Sequence, residues 1–167
     1  MKSTIVTVLI LASCFNLKAQ NIFLPEFNDK PAYYNTQEKK LVELEKSQYN
    51  TVAKAKGLFK VEGGFFLNGT SSPVKITRQA ALKFVIKVTA GTDPTSVVDL
   101  VKFKVRENKR VFITTTAKTT STSTSFEKIS YSTEKIKEGY YYLIVKNLDK
   151  GEYLFGATEF MFAFSIE

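Results

Sequence analysis

Two Ser-x-x-Lys spacings, Ser125 to Lys128 and Ser132 to Lys135, offer a hydroxyl and an amine that could activate one another. In penicillin-binding enzymes that spacing works on a helix, with S-D-N and K-T-G motifs completing the site. Here both pairs fall in a Ser/Thr/Lys-rich, strand-like stretch, and neither companion motif is present, so chance accounts for them. The carboxylates Asp93, Asp99, Asp149, Glu152 and Glu159 are scattered. No spacing among them picks out a pair for glycoside hydrolysis or a calcium loop. No glycine-rich phosphate loop occurs either.

Composition removes most other site chemistries. The chain of 167 residues has no histidine and no tryptophan, and its single cysteine is Cys14. A serine–histidine–acid triad has no imidazole to act as its base. Cysteine–histidine catalysis lacks both partners. Zinc is bound mainly by thiolate and imidazole, so no metal site is expected, and no cofactor motif is found. The expectation is a protein that is not an enzyme. A small carboxylate- or lysine-dependent hydrolase is the alternative.

The remaining chemistry is cationic. Along Val101-Lys102-Phe103-Lys104-Val105-Arg106, the period of two puts Lys102, Lys104 and Arg106 on one strand face. Lys83-Phe84-Val85-Ile86-Lys87-Val88 does the same for Lys83 and Lys87, with Phe84, Ile86 and Val88 inward. If these strands are neighbours, five cations share a face that could hold phosphate or carboxylate groups of an anionic surface. The competing reading is an ordinary solvated face, where lysine also blocks edge-to-edge pairing. Nucleic acid is not the expected partner.

The elements that must position these residues are strands. Phe160, Phe162, Phe164 and Ile166 alternate with Met161, Ala163, Ser165 and Glu167, and Tyr140 to Val145 is apolar on both faces, as a central strand is. Residues 57–62, 73–77 and 111–116 are further candidates. Gly63-Gly64, Asn68-Gly69, Thr92-Asp93-Pro94, Glu107-Asn108 and Glu138-Gly139 read as turns between them. The tract Thr114 to Ser125 reads as a mobile hairpin loop. A hydroxyl row of Thr120, Thr122 and Thr124 is the competing picture. Residues 35–57 admit two readings. Asn35 with Glu38 and Gly57 would cap a helix, whereas Ala32-Tyr33-Tyr34 turning back through Asn35 to Lys40 makes a hairpin, which suits the β surroundings. With 14 phenylalanines, the aromatics are expected to be mostly core. Short strands with regular punctuation predict an all-β protein, an antiparallel β-sandwich of Greek-key type.

Leu148-Asp149-Lys150-Gly151-Glu152-Tyr153 resembles the tyrosine corner of immunoglobulin and fibronectin type III sandwiches, with Leu148, Gly151 and Tyr153 in the corner positions. Lys150 stands where the usual proline precedes the glycine. The resemblance implies a hydroxyl bonded back to nearby backbone at a turn between sheets. It implies fold and no ligand.

The N-terminus reads as an export signal. Lys2 precedes an apolar run from Ile5 to Ala12, shorter than the roughly 20 residues a membrane span needs. Cleavage after Ala19 gives a signal peptide at 1–19 and a single domain at 20–167. The alternative is a lipobox, Leu11-Ala12-Ser13-Cys14, with Cys14 as the lipidated residue. No later segment is apolar enough to span a membrane. Loss of Lys2 and Lys18 lowers the formal charge from +8 to +6. With Cys14 in the signal, the exported domain has no disulfide and depends on packing. The Tyr33-Tyr34 pair, Leu41 to Lys46, Ser72-Pro73-Val74-Lys75, Gly151-Glu152-Tyr153 and Phe160 to Glu167 together resemble a set of small exported Bacteroidota proteins. The resemblance implies export with a β-sandwich domain and brings no activity with it. The expected function is a non-catalytic binding or structural module of the cell envelope, in contact with an envelope protein or an anionic surface.

Overall fold

A computed structural model describes residues 23–55, 60–118, 121–124, 128–157 and 160–167. The expected signal peptide, Cys14, Ser125 and Glu159 lie outside the described residues. The chain forms β1 (Ala32–Asn35), β2 (Lys40–Glu43), β3 (Glu45–Gln48) and β4 (Asn50–Ala55), then β5 (Lys60–Asn68), β6 (Lys75–Ile76) and β7 (Ala81–Lys87). A 3₁₀ turn over Pro94–Ser96 leads to β8 (Asp99–Lys102), β9 (Lys104–Arg106), β10 (Lys109–Lys118) and β11 (Ser121–Thr124). The last four strands are β12 (Ser132–Lys137), β13 (Tyr140–Lys146), β14 (Gly151–Gly156) and β15 (Phe160–Ile166). No described helix is long and apolar enough to cross a membrane.

These strands build an all-β sandwich of antiparallel sheets, in three layers where the sequence suggested two. Sheet I has the order β12-β13-β7-β1-β2. Sheet II is β3-β15-β14-β8, with β6 added in parallel to β15. Sheet III is β11-β10-β5-β4, with β9 also on β10. Sheet II is the middle layer, and the sequence of β15 shows why. Phe162, Phe164 and Ile166 pack with Phe84, Leu143 and Val145 of sheet I. Met161 and Ala163, on the opposite face, pack with Leu67, Phe65 and Phe112 of sheet III. A strand apolar on both faces has to be covered on both. Phe84 sits 5.0 Å, centroid to centroid, from each of Phe155 and Phe164 at the centre of the first core.

Two edge strands pass from layer to layer. Single residues interrupt the run from β2 through β3 to β4, and these are Leu44, buried in the first core, and Tyr49, packed on the second. Phe103, between β8 and β9, does the same at the other edge of sheet II. Each bend is anchored by the apolar side chain at its corner.

The described part of 35–57 holds no helix: it is strand apart from the turn at 36–39 and the bends at Leu44 and Tyr49, and β1 and β2 form the hairpin. The Asn35 signal is nonetheless real: its Oδ1 accepts from the N–H groups of Gln37 (3.0 Å) and Glu38 (3.1 Å), closing the hairpin turn. Two expectations are corrected. Gly63-Gly64 lies inside β5 instead of at a turn. Where it is described, the Ser/Thr tract is strand, the end of β10 paired with β11 from Thr115 opposite Thr124 to Lys118 opposite Ser121, because backbone pairing holds a strand that has little apolar area of its own.

Candidate functional site

The five cations read from the sequence do not share a face. β7 pairs with β13 and β1 in sheet I, whereas β8 pairs with β14 in sheet II. Lys83 stands over the Tyr142 ring (4.7 Å), and Lys87 stands over Tyr140 (5.8 Å) and donates to the Glu26 carbonyl (2.9 Å). Lys102 lies 5.3 Å from the Tyr153 ring. The chain then leaves sheet II at Phe103, which carries Lys104 and Arg106 into sheet III, where Arg106 is paired with Glu62 at 2.8 Å. Alternation alone put these side chains together. The bend and the pairing partners separate them.

The carboxylates are equally dispersed. Asp93 caps the 3₁₀ turn, and Asp149 is an exposed partner of Arg78 (3.0 Å). Glu152 is buried between sheets II and III, where it gathers the hydroxyls that sequence spacing did not reveal. Its Oε1 accepts from Ser165 Oγ (2.6 Å) and Ser71 Oγ (2.9 Å), and its Oε2 from the Ser72 N–H (2.8 Å). Lys75 Nζ donates to Ser71 Oγ and pairs with Glu167 (3.3 Å). Beside them Arg110, 1% exposed, forks onto Glu45 at 2.6 and 2.8 Å and donates to the Asn68 carbonyl (3.1 Å). Burial alone would push the Glu45 carboxyl up, but the hydrogen bonds from Arg110 and Ser72 and the guanidinium charge outweigh it and hold the carboxyl below its usual range.

This cluster contains a serine, a lysine and a carboxylate in contact, yet it is arranged as a fastening. A serine nucleophile needs a base free to take its proton and a donor aimed at the developing oxyanion. Here Ser71 donates to Glu152, Lys75 is shared with Glu167, and the Ser72 N–H that could face an oxyanion is bonded to Glu152. Those bonds tie the 71–75 segment to sheet II.

The concave surface lies elsewhere between the same two sheets. A cavity of about 440 Å³ is floored by Val101, Leu154 and Met161 of sheet II and walled by Tyr49, Phe65 and Phe112. That volume falls within the roughly 300–1,000 Å³ of small-molecule sites. Strand β10 carries a register shift between Ile113 and Thr115, so Thr114 is an extra residue, and it also lines the cavity. Bulges of this kind bend a strand and increase its twist. The neighbouring strand accommodates this through Gly64, where a Cβ would come within 2.0 Å of the Phe112 carbonyl oxygen. The polar groups are few. Tyr49 donates its hydroxyl to the Ala157 carbonyl (2.6 Å), and Asp99 pairs with Lys128 (2.8 Å). Burial, and then the charge of Asp99, pushes the Tyr49 phenol up. A second, more polar cavity of about 550 Å³ is bordered by Lys30, Lys46 and Phe160, and Val97 and Ala157 line both.

The tyrosine corner is present: Tyr153 donates to the Asp149 carbonyl at 2.8 Å, Leu148 is buried, and Gly151 begins β14. No family profile, curated protein or solved structure matches the chain.

Proposed function

We propose that this chain is a non-catalytic binding module, exported to the bacterial cell envelope by a signal peptide at 1–19. The observation that carries this reading is how polar and apolar groups are distributed. The serines, carboxylates and guanidinium around Glu152 and Arg110 bond one another, while the cavity between sheets II and III has mostly apolar walls, with Tyr49, Asp99 and Thr114 as its polar lining. A pocket of that size and lining is suited to holding a small molecule. The Lys2 to Ala19 signal pattern and the resemblance to small exported Bacteroidota proteins support the location. Contact with an anionic surface through one five-cation face is not part of the reading, because the cations lie on three sheets.

The test is the intact mass of the native protein from fractionated cells, followed by in-cell cross-linking. The expected mass begins at Gln20 in the periplasmic or secreted fraction, with cross-links to envelope components. A mass beginning at Cys14 with added acyl chains makes the module a tethered lipoprotein. A chain beginning at Met1 in the cytoplasm overturns the location. Turnover of a panel of esters and glycosides, abolished by Ser71→Ala, overturns the non-catalytic assignment.

A further inference from the structure

We infer that the cavity between sheets II and III is a binding site for a small apolar molecule that ends in a hydroxyl or amine. The inference rests on the reading of the chain as a binder and names what it binds. Three features carry it. The floor is already core: Met161 is 0% and Leu154 4% exposed, so the cavity reaches down to the packed middle sheet. The walls Phe65 and Phe112 are only half-buried, although both belong to the second core. Apolar area therefore stays uncovered between two layers that elsewhere meet, and a ligand there removes it from water. The third feature is the Thr114 bulge with Gly64 opposite, a local device that bends sheet III where the cavity lies.

The polar border selects the end group. Asp99 supplies a carboxylate, which accepts up to about four hydrogen bonds, and Lys128 does not exhaust that capacity. The Tyr49 hydroxyl is committed as a donor to Ala157, so towards a ligand it offers its oxygen as an acceptor. A ligand hydroxyl or amine has acceptors waiting at Tyr49 and Asp99, whereas a ligand carboxylate brings another acceptor and a second anion to a border whose ammonium, Lys128, is already paired with Asp99. The site therefore favours an alkyl or aromatic alcohol or amine over the matching acid.

The probe is N-phenyl-1-naphthylamine, an apolar aromatic amine whose emission rises on leaving water. The wild-type chain, which has no tryptophan of its own, should give saturable enhancement at one probe per chain. Decanol and decylamine should displace it about ten-fold more effectively than decanoate. Thr114→Trp fills the cavity from a half-exposed position and should weaken binding about ten-fold at an unchanged melting temperature. Asp99→Asn keeps the shape, so it should retain probe binding and bring decanoate to within about two-fold of decanol. Absence of saturable binding, or full binding by a folded Thr114→Trp variant, overturns the site. Unchanged discrimination in Asp99→Asn overturns the end-group assignment. Loss of the site with envelope cross-links intact leaves the broader reading standing, and loss of the envelope location leaves the pocket chemistry standing.

Discussion

The hydroxyl of Tyr153 reaches back four residues to the Asp149 carbonyl, and its ring stacks on Phe164 with centroids 5.6 Å apart. The bond fixes the turn that takes the chain from β13 in sheet I to β14 in sheet II. The ring fills the core between them. The two contributions separate by mutation. Tyr153→Phe loses only the hydrogen bond and should cost about 1 kcal/mol. Tyr153→Ala also empties a site that is 2% exposed and should cost about 3–5 kcal/mol. Urea denaturation checks both: the first variant should lower the midpoint slightly at constant slope, and the second should lower it several-fold more. Equal losses would make the corner bond, instead of the stack, the main contribution of this residue.

Strand β10 and its partner β5 show how an element shapes the cavity. Gly64→Ala sets a methyl group against a backbone oxygen that cannot swing aside, so the two strands must move apart or lose their bend. The expected cost is about 1–3 kcal/mol. Naphthylamine binding should fall with it, read by urea midpoint and probe titration on the same sample. A variant of full stability and full affinity would show that the bend is not what opens the cavity. This element also marks where the sequence stops being legible. The period of two correctly assigned Phe84 and Ile86, Val101 and Phe103, and the alternating faces of β15, because burial enforces that period. It cannot say which sheet a strand joins. Val105 continues the apolar face of Val101 and Phe103 in sequence, yet it is 50% exposed, since the chain has left sheet II at Phe103. The cationic face failed for the same reason. Gly63-Gly64 carries the same letters whether it turns a hairpin or sits opposite a bulge, and the Asn35 cap serves a hairpin turn as well as a helix. The cavity was illegible because its lining comes from five strands, the bend residue Tyr49 and the loop residues Val97 and Ala157, whose proximity is set by long-range pairing.

For the molecule as a whole, titration behaviour follows from which ionisable groups are buried. With no histidine, no side chain has an ordinary pKa between about 5 and 8. On the acid side, Arg110 holds the Glu45 carboxyl below its ordinary 4.5. A depressed carboxyl contributes stability that is complete above the unfolded value and is lost as pH falls through the folded one. On the alkaline side, burial pushes up the phenols of Tyr33, Tyr49 and Tyr142, and with the charges of Asp99 and Asp93 it pushes Tyr131 up to about 12. A raised phenol contributes stability that is complete below its ordinary 10.0 and is lost as pH climbs through the folded value. Stability should therefore be flat from about pH 5 to 9 and fall on both sides, by carboxylate protonation below and phenol ionisation above. Urea midpoints taken at one-unit pH steps measure the plateau. Glu45→Gln should lower the plateau and soften its acid edge, because the amide keeps the shape and discards the titration. Tyr131→Phe should soften the alkaline edge alone, since its hydroxyl bonds the Val98 carbonyl and no acid-titrating group. If the acid edge survives Glu45→Gln unchanged, the Arg110 pair is not what acid breaks.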